Sequence, residues 1–151
     1  MYYGHENSNQ IHALNQMYKG IDTPDDLYNA LMNVWCEYSC TPRLRSQWTS
    51  KNITLGQCSI TAFLAQDIFG GKVFGILMQE GNYHCYNVVN NIAFDLTSEQ
   101  FENEELSYVN NPEQSREIHF ARREKQERYE YLKDELKKFL SSKNIYSFDK
   151  F

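Results

Sequence analysis

Three side chains in the middle of the chain have the types and spacing needed for nucleophilic catalysis. Cys58 follows a Gly-Gln pair and opens the run SITAFLAQDIFGG, whose apolar residues recur at helical spacing. The positive end of a helix dipole lowers the pKa of a thiol and so favours the nucleophilic thiolate. His84 can supply an imidazolium beside that thiol, and Asp95 can orient the imidazole. The pattern therefore predicts a nucleophile, a base and an orienting acid.

The elements that must position these residues follow from the hydrophobic periodicity. The helix after Cys58 ends at a Gly-Gly pair, and the period then changes to two in segments 72–78, 83–89 and 92–97. This change predicts three short strands. Helical segments lie before Cys58 and after the strands. The order of elements predicts an α+β fold in which the helix that bears the cysteine packs on a small antiparallel sheet with flanking helices.

A two-residue turn determines which side chains share a face of the second and third strands. Asparagine tolerates positive φ, so the pair at 90–91 favours a tight hairpin turn. Counting back from this turn pairs Tyr86 with Asp95 and His84 with Thr97. All four lie on one face because side chains alternate along a strand. His84 and Asp95 then become diagonal neighbours within reach of each other.

Catalysis at a carbonyl group also needs hydrogen-bond donors for the developing oxyanion. The backbone N–H of the cysteine is one donor, and a side-chain amide from Asn52 or Gln57 could be the second. Asn52 is favoured, because Gln57 could point away from the site. Trp48 and Tyr86 could wall a substrate pocket or fill the core. Arg43 could bind an anionic group or lie in a solvated loop.

The order of a cysteine at a helix start, a histidine on a strand and an acid on the next strand resembles papain-like enzymes, whose relatives include transglutaminases. Over roughly residues 40–101 the chain is more closely similar to the YunG-like family of small bacterial proteins. That resemblance implies a papain-like fold with a Cys-His-Asp triad. It depends on an Arg-Trp loop and on Gly-Gln-Cys, His-x-Tyr-Asn and Asp-Leu-Thr motifs, which here contain Arg43, Trp48, Cys58, His84, Asn87 and Asp95.

These features predict thiol-dependent acyl transfer through a thioester, as amide or peptide hydrolysis, deamidation or transfer. This chemistry requires neither a metal nor an organic cofactor. The substrate, whether a small molecule, a peptide or a protein, stays open. The chain lacks a second full substrate-binding domain, which argues against a broad endopeptidase cleft. The alternative is a non-catalytic ligand- or protein-binding module on the same fold, and a third hypothesis is an adaptor that uses the C-terminal helix.

Composition limits the classes of partner and compartment. The chain has 151 residues, 41% of them hydrophobic, enough for one domain with a real core. A net charge of −5 disfavours nucleic acid and anionic membranes as partners. No apolar run is long enough to span a membrane, and the first residues have no signal-peptide pattern. Four cysteines in a chain of this length favour free thiols and a cytoplasmic location.

The chain divides into a short tail and one domain. Residues 1–10 are polar, which predicts a frayed N-terminus. Residues 11–151 form a single predicted domain that includes one long charged helix over about 113–142. The sequence predicts no oligomeric state.

No chemical role is predicted for the cysteines other than Cys58 or for His119. Cys36 and Cys40 have i, i+4 spacing, which could bind a metal, but no Cys-x2-Cys pair accompanies them and no metal site is predicted. Cys85 points to the strand face opposite His84 and is predicted to be core. His119 is assigned to the surface.

Overall fold

The computed structural model describes residues 1–102 and 104–149, with side chains as far as residue 143. The architecture is α+β, as predicted, with a three-stranded antiparallel sheet in the order β1-β2-β3. The helices are α1 (Pro24–Leu31), α2 (Cys58–Phe69), α3 (Arg116–Phe120) and α4 (Arg123–Asp149), and the strands are β1 (Lys72–Leu77), β2 (Tyr83–Val89) and β3 (Ile92–Phe94). Short 3-10 helices occupy His5–Gln10, Pro42–Gln47, Ser50–Asn52 and Ser98–Phe101.

Helix α2 carries Cys58 as its first residue and packs against β1, β2 and α4. Its side chains join one hydrophobic core that also receives residues from α1, the sheet and α4. The turn into α2 requires a glycine at position 56. Gly56 has φ 71°, and a Cβ there would lie 2.5 Å from Sγ of Cys40. Only a residue without a side chain allows this close approach in the left-handed region.

The β2–β3 hairpin has the register that the sequence predicts. Asn87 pairs with Phe94, and Val89 pairs with Ile92. Both turn residues, at 90–91, have positive φ (52° and 64°), as a tight two-residue hairpin turn requires. The register brings His84 and Asp95 to the same region of the sheet.

Strand β3 is shorter than the predicted 92–97, because the N-terminal segment takes over the pairing. The backbone N–H of Asp95 donates to the carbonyl of Tyr3 at 2.9 Å. The backbone N–H of Tyr3 donates to Oγ of Ser98 at 2.8 Å. The acid therefore leaves its strand next to a segment from the beginning of the chain.

The prediction that residues 1–10 are frayed is wrong. The side chain of Tyr2 is fully buried in the core, and its hydroxyl hydrogen-bonds to Asp25. Gly4, at φ 90°, fits against the backbone at Ala93, where a Cβ would lie 2.4 Å from the carbonyl oxygen. Tyr2, Tyr3 and Gly4 hold the N-terminal segment against the domain. The polar character of residues 5–10 gave no indication of these contacts.

Two helices replace the single long helix predicted over 113–142. Helix α3 begins where Oγ of Ser115 accepts from the backbone N–H of Ile118 at 3.3 Å. Arg116 ties α3 to α2 through a 2.7 Å ion pair with Asp67. Helix α4 then begins at Arg123 and buries the apolar side chains of Tyr129, Leu132 and Leu136. The break brings the start of α4 close to the N-terminus of α2.

Candidate active site

Cys58 is half-buried at the first position of α2, where backbone donors are available. The preceding residue, Gln57, gives the helix no side-chain cap. The first bond into the helix runs from the N–H of Thr61 to the carbonyl of Gln57. The first N–H groups of an α-helix have no intrahelical acceptor. The N–H groups of residues 58–60 thus stand at the positive end of the helix dipole beside the thiol.

His84 lies between the acid and the thiol. Its side chain is 2% exposed, and its ring packs edge-on against Phe101 with the centroids 4.7 Å apart. Nε2 donates to Oδ2 of Asp95 over 2.6 Å. Nδ1 is therefore the ring nitrogen left for Cys58, and a hydrogen bond between thiol and imidazole shifts the pKa of both groups.

The buried carboxylate of Asp95 has donors on both oxygens. Oδ1 accepts from the backbone N–H and the hydroxyl of Thr97, at 3.1 and 3.4 Å. Oδ2 accepts from the hydroxyl of Tyr108 at 2.7 Å as well as from His84. A charge buried in this way is tolerated because its hydrogen bonds are satisfied.

The electrostatics of the site favour a thiolate–imidazolium pair. A hydrogen bond from the Cys85 thiol, together with the hydrogen bond and charge of His84, holds the pKa of Cys58 well below its usual value, although burial opposes this shift. Burial also disfavours a charged imidazole, but Asp95 and Cys58 outweigh it and raise the pKa of His84 to about 10. Both shifts favour the state in which the imidazole holds the proton and the sulfur of Cys58 is a thiolate.

Cys85 adjoins Cys58, which strand alternation alone did not predict. It is buried in the hydrophobic core, on the face opposite His84, as the sequence indicates. Helix α2 packs on that same face, so its first residue brings the sulfur of Cys58 close. The hydrogen bond shared with Cys58, then burial and the charge of the Cys58 thiolate, raise the pKa of Cys85 well above its usual value. Cys85 therefore stays protonated and donates to Cys58.

A cleft of about 440 Å³ opens over Cys58 and His84. Its walls come from the segment after Thr41, the β1–β2 turn, the region of Phe101 and the start of α4. Its size is typical of small-ligand pockets. Arg43, a predicted binding residue, lines this cleft and forms a 3.0 Å ion pair with Glu80.

Neither of the two amides considered for the oxyanion hole lines the cleft. Asn52 lines a neighbouring pocket, which shares Phe101 with the cleft. Gln57 is fully buried, and its Nε2 donates to the carbonyl of Cys36 at 3.0 Å. Its Oε1 has no partner among the described residues. The donor group of Gln57 is thus already used inside the fold, whereas Asn52 lines the neighbouring pocket.

The two aromatic candidates do not line the cleft. The indole N–H of Trp48 donates to the carbonyl of Ile53 at 3.0 Å and closes the loop before α2. Tyr86 is buried behind the acid, edge-on to Tyr108 at 4.9 Å, and its hydroxyl accepts from Asn111 at 3.0 Å. Trp48 supports the loop before Cys58, and Tyr86 packs on Tyr108, the residue that bonds Asp95.

Lys125 and His119 also lie beside the cysteines, and no sequence signal indicated them. Nζ of Lys125 is 2.8 Å from Nδ1 of His119. Nε2 of His119 is 2.9 Å from Oε1 of Gln114 and 4.0 Å from Sγ of Cys85. Burial and the lysine charge lower the pKa of His119 to about 4, so this imidazole is neutral. The assignment of His119 to the surface is wrong, because the α3–α4 break turns its side chain inward.

The other two cysteines lie in the turns after α1. Sγ of Cys36 is 3.6 Å from the hydroxyl of Tyr131, and Cys40 is buried against Gly56. Among the side chains that the structure describes, in residues 1–102 and 104–143, no three His, Cys, Asp or Glu side chains are grouped as a metal site requires. Over residues 1–102 and 104–149, every helix is too short or too polar to cross a bilayer.

The sequence of this α+β protein matches one known family. The chain matches the family model described as "YunG protein" over residues 23–141, and it therefore belongs to the YunG family. It is 34% identical over 97 residues to the protein named "Uncharacterized protein YunG" from Bacillus subtilis (strain 168). That alignment covers 64% of this chain and 81% of the relative. No solved structure matches the chain significantly.

Proposed function

We propose that this protein is a thiol-dependent acyl-transfer enzyme with a papain-like core. Cys58 is the nucleophile, His84 the acid and base, and Asp95 the residue that orients His84. One observation carries the proposal: the imidazole of His84 donates through Nε2 to Asp95 at 2.6 Å, and a hydrogen bond with the Cys58 thiol helps to raise the pKa of the same imidazole. Nucleophilic catalysis by a cysteine requires this order of groups.

In the first half of the reaction, the Cys58 thiolate attacks the carbonyl carbon of an amide. A carbon–sulfur bond forms, and the carbonyl electron pair moves to oxygen. The protonated Nδ1 of His84 then gives its proton to the departing nitrogen as the carbon–nitrogen bond breaks. The products of this half are an amine and a thioester on Cys58.

In the second half, neutral His84 takes a proton from water or another acceptor nucleophile. The activated oxygen or nitrogen attacks the thioester and expels the sulfur as a thiolate. Water gives hydrolysis or deamidation, and an amine gives transfer. Asp95 stabilises the imidazolium in each half and keeps Nδ1 directed at the sulfur. No metal or organic cofactor takes part in these steps.

The oxyanion is stabilised by donors at the start of α2. The backbone N–H of Cys58 is the first donor, because the helix N-terminus has no side-chain cap. Asn52 stays the proposed side-chain donor, since the amide of Gln57 bonds a carbonyl inside the fold. Arg43 contributes to substrate binding at the mouth of the cleft. Trp48 and Tyr86 act by holding neighbouring residues in place.

The activated thiol can be tested with limiting iodoacetamide at pH 7, with the labelled peptides quantified by mass spectrometry. Cys58 is expected to react at least about tenfold faster than Cys36, the other partly exposed thiol. His84→Gln removes the cation but keeps a group that can donate to Asp95, so a folded variant is expected to lose this advantage. Equal rates for the two thiols in the wild type would overturn the proposal.

Turnover needs a separate measurement. A library of amides, esters and peptides is incubated with the wild type and with Cys58→Ala, and products are detected by mass spectrometry. Product formation that depends on Cys58 supports an enzyme. Tight binding of a library member by both proteins without any turnover supports the alternative, a binding module on the same fold.

A further inference from the structure

The start of α4 forms a positively charged wall of the cleft beside Cys58. Arg122, Lys125 and Arg128 all line the cleft, spaced three residues apart along the chain. Arg128 is neutralised by Glu124, whose Oε2 lies 2.9 Å from its Nε. Among the described residues, neither Arg122 nor Lys125 has a carboxylate within ion-pair distance.

The ammonium group of Lys125 is held in place without being neutralised. Its hydrogen-bond partner is Nδ1 of His119, at 2.8 Å, and this imidazole is uncharged at neutral pH. Burial lowers the pKa of Lys125, and the neighbouring Arg128 and Arg122 lower it further, whereas the Cys58 thiolate opposes them. Two donors of the ammonium group remain for another acceptor. An anion bound here would relieve the repulsion among these cations.

Of the carboxylates that line the cleft, Glu124 lies on the same wall as the cations but is paired with Arg128, and the other two lie on other walls. Glu80 comes from the β1–β2 turn and is already paired with Arg43 at 3.0 Å. Glu104 comes from the segment that follows Phe101. The cleft is thus electrically asymmetric, although the whole chain carries a net charge of −5. A substrate with an acidic group is oriented with that group toward the start of α4.

We propose that the substrate of Cys58 is an amide that carries a carboxylate near its reacting carbonyl group, and that Lys125 and Arg122 bind this carboxylate. This inference rests on the proposed function and adds the substrate class to it. Lys125 supplies a partly buried, charge-assisted hydrogen bond, and Arg122 supplies an exposed charge at the mouth of the cleft. Neither side chain takes part in the covalent steps.

Two alkylating reagents that differ in charge test the inference without knowledge of the substrate. Iodoacetate and iodoacetamide both transfer a carbon to the Cys58 thiolate and release iodide, but only iodoacetate carries a carboxylate. The measured quantity is the ratio of their rate constants at Cys58, at pH 7 and low salt. We expect Lys125→Gln combined with Arg122→Gln to lower this ratio by about tenfold, with each single change accounting for part of it.

Arg123→Gln is the matched control, because Arg123 is 92% exposed and pairs with Glu127 outside the cleft. Its ratio is expected to equal that of the wild type. Arg122→Glu is a second variant at an exposed position that should not disturb folding, and it is expected to lower the ratio more than Arg122→Gln. As a further readout, glutarate should protect wild-type Cys58 from iodoacetamide better than glutaramide does.

The outcomes separate the two proposals. A ratio that falls in the cleft variants and not in Arg123→Gln supports the carboxylate site. Fast labelling of Cys58 with a ratio that no charge change alters overturns the substrate class and leaves the thiol enzyme standing. Slow labelling of Cys58 by both reagents contradicts the enzyme, and the substrate inference falls with it.

Discussion

Nε2 of His84 and Oδ2 of Asp95 lie 2.6 Å apart, and both side chains are almost completely buried. The acid is fixed at the end of β3, where the N-terminal segment pairs with it. A charge pair inside a protein is screened far less than a pair on the surface. The influence of Asp95 on the imidazole therefore reaches the thiol on the other side of the ring.

Asp95→Asn should lower the pKa of His84 from about 10 toward that of an ordinary imidazole, because Asp95 supplies the charge that raises it. The imidazolium would then be less populated, and labelling of Cys58 at pH 7 should slow by about tenfold or more. Titration of His84 by NMR and the labelling rate measure the two effects. Asp22→Asn, which alters the exposed His12 pair, should change neither.

Cys85→Ala should raise the pKa of Cys58, because it removes the neighbouring thiol that donates to the thiolate. Labelling of Cys58 at pH 6 is expected to slow severalfold relative to the wild type, on the scale of one lost hydrogen bond. Cys85→Ser restores a donor and should recover most of the rate. A rate at pH 6 that is equal in all three proteins would show that Cys85 only fills the core.

Tyr108→Phe should lower the free energy of unfolding by about 1–2 kcal/mol, because Asp95 loses one of its buried donors. Asp95 keeps its bonds from Thr97 and His84, so labelling of Cys58 should slow less than in Asp95→Asn. Urea denaturation and the labelling rate provide the comparison. Tyr3→Phe is the control, since the Tyr3 ring stacks on Tyr108 but its own hydroxyl is not bonded to Asp95.

Much of the site could be predicted because it depends on short-range geometry. The 90–91 turn determines the β2–β3 register, which brings His84 to Asp95, and the change of period after Gly71 predicts the sheet. These features follow from residues close together in the sequence. The α+β class follows from the order of the same elements.

The residues that were missed come from distant parts of the chain. The backbone of Tyr3 pairs with that of Asp95, more than ninety residues away in the sequence. Lys125 lines the cleft at the start of α4, where the predicted single C-terminal helix is broken. Cys85 was assigned to the correct strand face, but the sequence does not show that the N-terminus of α2 lies over it. The packing of one element on another places each of these residues at the candidate site. Hydrophobic periodicity does not encode that packing.

Gly56→Ala should lower the free energy of unfolding by about 2 kcal/mol or more, from left-handed strain and a clash with Sγ of Cys40. It should also slow labelling of Cys58, because the entry to α2 must shift. Gly81→Ala is the matched control. Gly81 also has positive φ (89°), but no atom lies within 4 Å of its added Cβ. Gly81→Ala therefore introduces the backbone strain without the clash. Urea denaturation measures the difference between the two variants in the free energy of unfolding.

The pH dependence of Cys58 alkylation tests the thiolate–imidazolium pair most directly. Because the pKa of Cys58 is held well below its usual value and that of His84 is about 10, the wild-type rate with iodoacetamide should change much less between pH 6 and pH 9 than that of an ordinary thiol. In His84→Gln, whose fold is checked by circular dichroism, the rate should fall at least about tenfold between pH 8.5 and pH 6, because only the hydrogen bonds of Cys85 then oppose burial. A wild-type profile that falls in the same way would contradict an activated Cys58.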